Sequence, residues 1–284
     1  MADLKWERLK IPSSGAMPGV SFHCTALRSP SSLVLFGGQR RGLSNGLYQF
    51  NPGEDGWSEH PAEGAWPAER TQATMTGIGS MAGEGRVLYL FGGSALNVGA
   101  VNDLWALTIA PEAGRAEYSW MRVEVAGALP PPRYGHSAIE WGAKLVVFGG
   151  QDDAQQFNDV WCLDTATMAW SQLPAKGTPP APRTRCTATL VSDDAMLVLG
   201  GFSREARYLS DAHLLNLSTG AWSALMLSGA ALGPRAQHAA ASPDGKHVFV
   251  FGGYSGAKNL NDLLMLRRAS RLANLPPVAS LQPP

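Results

Sequence analysis

The chain is short of most features that would assign it a function at once. Cysteine is scarce: Cys24, Cys162 and Cys186 form no CxxC pair, and an odd number cannot all be paired as disulfides. That excludes a thiolate metal knuckle and a disulfide-stapled secreted scaffold, and a reducing, cytoplasmic compartment fits best. Excess charge is missing too, because 23 basic residues face 23 acidic ones among 284. No global field draws the chain to nucleic acid or to an anionic membrane surface. No apolar run approaches the ~20 residues of a membrane span, so no membrane insertion is expected. The opening "MADLKWERLK" has no apolar signal-peptide core. Lysine is also rare, at 6 residues against 17 arginines.

What the chain has is glycine, in a pattern. Apolar runs of strand composition end in paired glycines at "LVLFGG", "LYLFGG", "LVVFGG", "MLVLGG" and "VFVFGG", with first glycines at positions 37, 92, 149, 200 and 252. The spacings are 55, 57, 51 and 52 residues. Each pair is followed by a second apolar stretch: "NGLYQF", "NDLWAL", "NDVWCL", "SDAHLL" or "NDLLML". Four of these lead to a tryptophan segment, at Trp57, Trp120, Trp170 and Trp222. Ahead of the glycines stand "PPRYGHSAI", "APRTRCTAT", "GPRAQHAAA" and the weaker "PAERTQATM".

A period near fifty with four short strands per unit is the signature of propeller blades. The chain resembles the kelch-repeat family over about 265 residues, in the form found in Rab-effector and host-cell-factor relatives, without a BTB or BACK segment. The resemblance implies an all-β kelch β-propeller of five four-stranded blades. The fifth unit stops after "NDLLMLRR", and "WERL" at Trp6–Leu9 would supply its missing outer strand. Residues 1–268 are therefore expected to form the propeller, with 1–10 closing the last blade. Residues 269–284 are expected to be a Pro-rich tail. The glycine pair should sit where neighbouring sheets crowd together. The Asn-Asp that opens the third strand should bond local backbone.

Chemistry is harder to find. His136 and His238 occupy the repeat's own inner-strand position, and His213 fills the slot held by Trp105 and Trp161, so all three read as structural. Plant specifier proteins of this family carry E-x-x-x-D-x-x-x-H, but no Glu here has Asp four residues later. Neither the copper site of galactose oxidase nor the Asp boxes of sialidases are recognisable. We expect no catalytic residues, no metal and no cofactor.

Arginine does converge. Arg70, Arg133, Arg183 and Arg235 open the inner strands, and the loops after the glycine pairs carry Arg40, Arg41, Gln151, Asp152, Phe202, Arg204 and Tyr254. Tyr134 follows Arg133 directly. In BTB-linked kelch adaptors, arginines at matching positions bind acidic peptides at the channel mouth. The resemblance extends that role to the Pro-Arg arginines here, since a guanidinium offers a planar fork to carboxylates. The alternative is that these arginines brace neighbouring loops. The expected function is a non-catalytic scaffold or adaptor that binds a protein partner, and the resemblance points to an acidic segment of that partner. It could act as one subunit of a larger complex. An enzyme with its site in the same mouth is the rival reading.

Overall fold

The computed structural model describes residues 19–30, 32–39, 41–51, 56–60, 63–80, 86–112, 115–229 and 232–267. The closing segment expected at Trp6–Leu9, Arg40 and the 269–284 tail lie outside them. Every regular element among the described residues is a strand; apart from a small sheet of Arg70–Thr71, Ser94–Ala95 and Gly99–Ala100, the strands form five successive blades. The first blade holds Cys24–Ser29, Ser32–Gln39, Leu43–Asn51 and Gly56–Glu59. The second holds Thr74–Ile78, Val87–Phe91, Leu104–Glu112 and Arg115–Arg122. The third holds Ser137–Trp141, Lys144–Phe148, Val160–Asp164 and Ala169–Gln172. The fourth holds Thr187–Ser192, Ala195–Ser203, Arg207–Asn216 and Ala221–Leu225. In the fifth, Ala239–Ala241, His247–Phe251 and Leu263–Arg267 are described.

The apolar runs before the glycines explain the stacking. Side chains on a strand point alternately to its two faces, so a continuous apolar run needs cover on both. In Lys144–Phe148, Leu145 and Val147 join a core with second-blade residues such as Tyr89 and Phe91. Val146 and Phe148 join the next core, with Met196 and Val198 of the fourth blade. The same alternation links the first blade to the second and the fourth to the fifth. In the second, third and fourth blades the second strand is thereby the middle layer of a sandwich between two neighbours, while among the described residues those of the first and fifth blades are packed against one.

The glycines are needed for close approach. Gly149 lies at φ +65°, and a Cβ on it would stand 2.8 Å from the Arg183 carbonyl oxygen of the next blade. Gly37, Gly92 and Gly200 meet the carbonyls of Arg70, Arg133 and Arg235 in the same way. The crowding partner is the next blade's backbone. Gly252 has no such neighbour among the described residues and meets only Leu260 of its own blade.

Three blades carry more than the expected four strands. Glu63–Gly64, Ala126–Gly127 and Lys176–Gly177 run parallel to the outer strands of the second, third and fourth blades, beside Trp120, Trp170 and Trp222. Each is part of the linker leaving the previous outer strand. It passes the next blade's edge and supplies partners to backbone groups that would otherwise be an open edge.

Candidate functional site at the loop end

The Pro-Arg arginines point into the blades. Arg133 and Arg183 are 0 % exposed, and Arg70 and Arg235 are 2 % exposed. Arg133 shows the arrangement. Its Nη atoms donate to both carboxylate oxygens of Asp159 at 2.7 and 2.9 Å, and to the Gly149 carbonyl at 2.9 Å. Its Nε donates to the Pro131 carbonyl at 3.1 Å, and the guanidinium lies 4.4 Å from the centre of the Phe157 ring. Arg70–Asp103, Arg183–Asp211 and Arg235–Asp262 repeat the bidentate pair. Bracing is therefore what these four arginines do, and the peptide-binding role expected for Arg70, Arg133, Arg183 and Arg235 has no free guanidinium face to use. Proline precedes Arg133, Arg183 and Arg235, whereas Glu69 precedes Arg70; in all four the planar fork matches an Asp at the third strand of the same blade.

The partners make the tie selective. The Asp of "NDLW" gives its carboxylate to Arg instead of to local backbone, and its oxygen also accepts from Trp105 at 2.6 Å or Trp161 at 2.7 Å. His213, in the tryptophan slot, makes the same contact with Asp211 at 2.9 Å. The Asn reaches backbone, as expected, but of the linker into the next blade: Asn102 to the Pro130 carbonyl and Asn158 to that of Pro180. In the first blade Val20 stands in the Arg position and Gly46 in the Asp position, so both halves of the tie are replaced together. One half alone would bury an unpaired charge.

Burial acts to raise the pKa of Asp103 and Asp211, but the hydrogen bonds and charge of Arg70 and Arg183 outweigh it and hold both below the usual carboxylate range. The Arg235 hydrogen bond does the same for Asp262. Burial pushes His136 down to about 3 and His238 to about 4, assisted by the nearby Arg133 and Arg235 charges. Both imidazoles are thus neutral near pH 7, each bridging blades through Thr74 at 2.8 Å or Thr187 at 2.9 Å.

With the four arginines spent, the accessible chemistry lies on the loops. Five residues at one repeat position, Phe22, Gln72, Gly135, Arg185 and Gln237, share a left-handed backbone with φ between 56° and 64°. Successive members are joined by N–H to carbonyl bonds of 2.7–2.9 Å, four in all, running from blade to blade. No fifth bond between Gln237 and Phe22 is found among the described residues. Gly135 has no side chain, and Arg185 passes it to donate from Nε to Gln72 at 3.0 Å. The Nη atoms of Arg185 make no hydrogen bond with a described residue.

Of the loop residues singled out in the sequence, Phe202 and Tyr254 are brought together through Tyr208. The Phe202–Tyr208 and Tyr208–Tyr254 ring centres lie 5.3 and 5.6 Å apart, edge to face. Gln151 donates to the Tyr134 hydroxyl at 2.8 Å. Gln156 ties this pair to the fourth blade by donating to the Phe202 carbonyl at 3.2 Å. Arg204 is exposed but engaged, donating to the Ala154 carbonyl. Asp152 caps its own turn, accepting from the backbone of Ala154 and Gln155 at 2.8 and 2.7 Å. Arg41 is exposed on the first blade and makes no hydrogen bond with a described residue. Arg185 and Tyr208 were missed in the sequence. Arg185 could have been found as the one basic residue in a slot that elsewhere holds Phe22, Gln72, Gly135 or Gln237. Among the described residues no three His, Cys, Asp or Glu side chains converge as a metal-ligand set.

Stacked four- and five-stranded meanders, tied by a repeated buried ion pair and ending in one cluster of variable loops, define a propeller of kelch-type repeats. The chain belongs to the KLHDC2/KLHL20/DRC7 Kelch-repeats domain family, which matches residues 81–283. It is 29 % identical to Kelch domain-containing protein 2 of Bos taurus, over 90 % of this chain and 70 % of that protein. It is also 29 % identical to acyl-CoA-binding domain-containing protein 4 of Arabidopsis thaliana, over 84 % of this chain. The flagellar outer-arm dynein alpha chain of Chlamydomonas reinhardtii is 38 % identical over 49 % of this chain. The matched region spans 34 % of the Arabidopsis protein and 3 % of the dynein chain. Kelch repeats generally mediate protein–protein interaction.

Proposed function

We propose that this chain is a non-catalytic interaction module that holds a segment of a protein partner across the loops of the third, fourth and fifth blades. The observation that carries the reading is the pairing of an aromatic group with an unspent cation. Phe202, Tyr208 and Tyr254 form a continuous partly exposed surface, and the Arg185 fork stands on the blade-to-blade backbone relay with its Nη atoms unbonded to described residues. Aromatic rings and arginine are the side chains most enriched at binding hot spots. A carboxylate in the partner segment would match the Arg185 fork, so the acidic partner stays in the reading with a different arginine. Arg41 can add to the attraction from the first blade. Tyr134, Gln151, Asp152 and Arg204 serve the site by shaping the loops. Cys24, Cys162 and Cys186 are buried and free, and burial pushes the Cys24 thiol up to about 12. Inert thiols fit a cytoplasmic setting. No helix among the described residues is long and apolar enough to cross a membrane.

The test is affinity capture from native lysate, followed by titration of the captured partner against wild type and two variants. Arg185→Ala and the double Phe202→Ala, Tyr254→Ala should each weaken binding by at least tenfold, since hot-spot truncations cost about 2 kcal/mol or more. Both should melt within a few degrees of wild type. Equal partner affinity in folded variants would remove the loop end from the interface.

A further inference from the structure

The boundary between the second and third blades is open where their first and second strands turn, at the end opposite the glycine pairs. The register of the repeat identifies what stands at this place in other boundaries. Trp141 pairs with Lys144 at the close of the third blade's first strand, and its ring packs on the core shared with the fourth blade. Its Nε1 donates to Asp194 of the fourth blade at 3.0 Å. Between the first and second blades the flat group is Arg86. Its guanidinium lies so close over Gly77 that a Cβ there would stand 2.5 Å from Nε. The Nε donates to the Leu27 carbonyl of the first blade at 3.2 Å. A planar group with N–H donors therefore closes each of these two boundaries.

Between the second and third blades the corresponding residues differ together. Ile78 holds the position of Trp141, and Glu140 that of Leu190. Ala143 stands just before the second strand, where the neighbouring blades place Arg86 and Asp194. A cavity of about 510 Å³ is found there, with Ile78, Val87, Tyr89, Glu140 and Ala143 in its walls. Small-molecule sites run from roughly 300 to 1,000 Å³. Tyr89 is 5 % exposed, and its hydroxyl makes no hydrogen bond with a described residue. Glu140 accepts from the Gly79 N–H through Oε1 at 3.0 Å, while Oε2 lies 3.5 Å from Arg86. That second oxygen has acceptor capacity to spare.

We propose that this cavity binds a small planar heteroaromatic molecule with an N–H donor, of the indole class. The ring takes the place that the Trp141 side chain takes one boundary later, among Ile78, Val87 and Ala143. Its N–H donates to Glu140, as the Trp141 N–H donates to Asp194. The Tyr89 hydroxyl offers a hydrogen bond to a further polar group on the ligand, since a buried hydroxyl gains from a partner. The partner site on the loops plays no part in this inference.

The experiment is a titration of the full chain with indole, followed by amide NMR. The amides of Gly79, Gly142 and Thr165 should shift saturably. Benzofuran has the same shape without the N–H and should bind roughly tenfold more weakly, the worth of one hydrogen bond to a charged acceptor. Glu140→Leu, which copies Leu190, should reduce indole to the affinity of benzofuran. Ile78→Trp, which copies Trp141, should melt no lower than wild type and abolish indole binding. Shifts that do not saturate, or that fall only at the loop end, would overturn the proposal. So would equal binding of indole and benzofuran to wild type, a result that needs no variant to fold.

Discussion

Arg133 should be among the most expensive single side chains to remove. Truncation to Ala deletes four hydrogen bonds of 2.7–3.1 Å and the contact with the Phe157 ring. It strands the Gly149 carbonyl and leaves Asp159, 17 % exposed, without its counter-charge. Breaking one side of a buried pair costs about 3–5 kcal/mol, because the remaining charge stays desolvated. At roughly 2–4 °C per kcal/mol for a domain of this size, the melting temperature should fall by on the order of 10 °C. Circular dichroism melts of Arg133→Ala, Asp159→Ala and the double variant measure the effect. If the tie is one unit, the double variant should be little worse than Arg133→Ala alone. Arg204→Ala is the control: its arginine is exposed, and the change should stay within about 0.5 kcal/mol. Fully additive losses, or an Arg133→Ala melt within 2 °C of wild type by the same conversion, would refute the bracing role.

Acid should destabilise the protein before its carboxylates titrate. His136 and His238 are held neutral when folded, at about 3 and about 4, but bind a proton near 6.5 when unfolded. Their contribution is full above pH 6.5 and falls as pH drops toward the folded values, by roughly 2 kcal/mol per histidine at pH 5. Denaturation midpoints from pH 7.5 to 4.5 should show this slope, and His136→Gln should flatten it. Gly149→Ala and Gly142→Ala share positive φ, but only at Gly149 would the new Cβ sit 2.8 Å from backbone, whereas Gly142 has nothing within 4 Å. Gly142→Ala should therefore cost only ~1–2 kcal/mol of backbone strain, and Gly149→Ala several degrees more in a thermal melt.

The repeat was legible because it is written in residues that only local and nearest-neighbour geometry demands. "LVVFGG" announces a strand covered on both faces, followed by an approach too close for a Cβ, and the structure puts Val147 and Phe148 in different cores with Gly149 against the Arg183 backbone. The tryptophan segments announced outer strands, and Trp120, Trp170 and Trp222 occupy them. The arginines carried no such instruction. "PR" places Arg133 at the start of an inner strand, but whether its fork faces solvent or the Asp159 carboxylate 26 positions away depends on how the third strand folds back. The same holds for Tyr208, which joins Phe202 to Tyr254 only because two blades stack. Strand identity follows from the period of the side chains along the chain. The fate of a charge is set by which distant backbone and carboxylate groups surround it, and those are brought together only by tertiary packing.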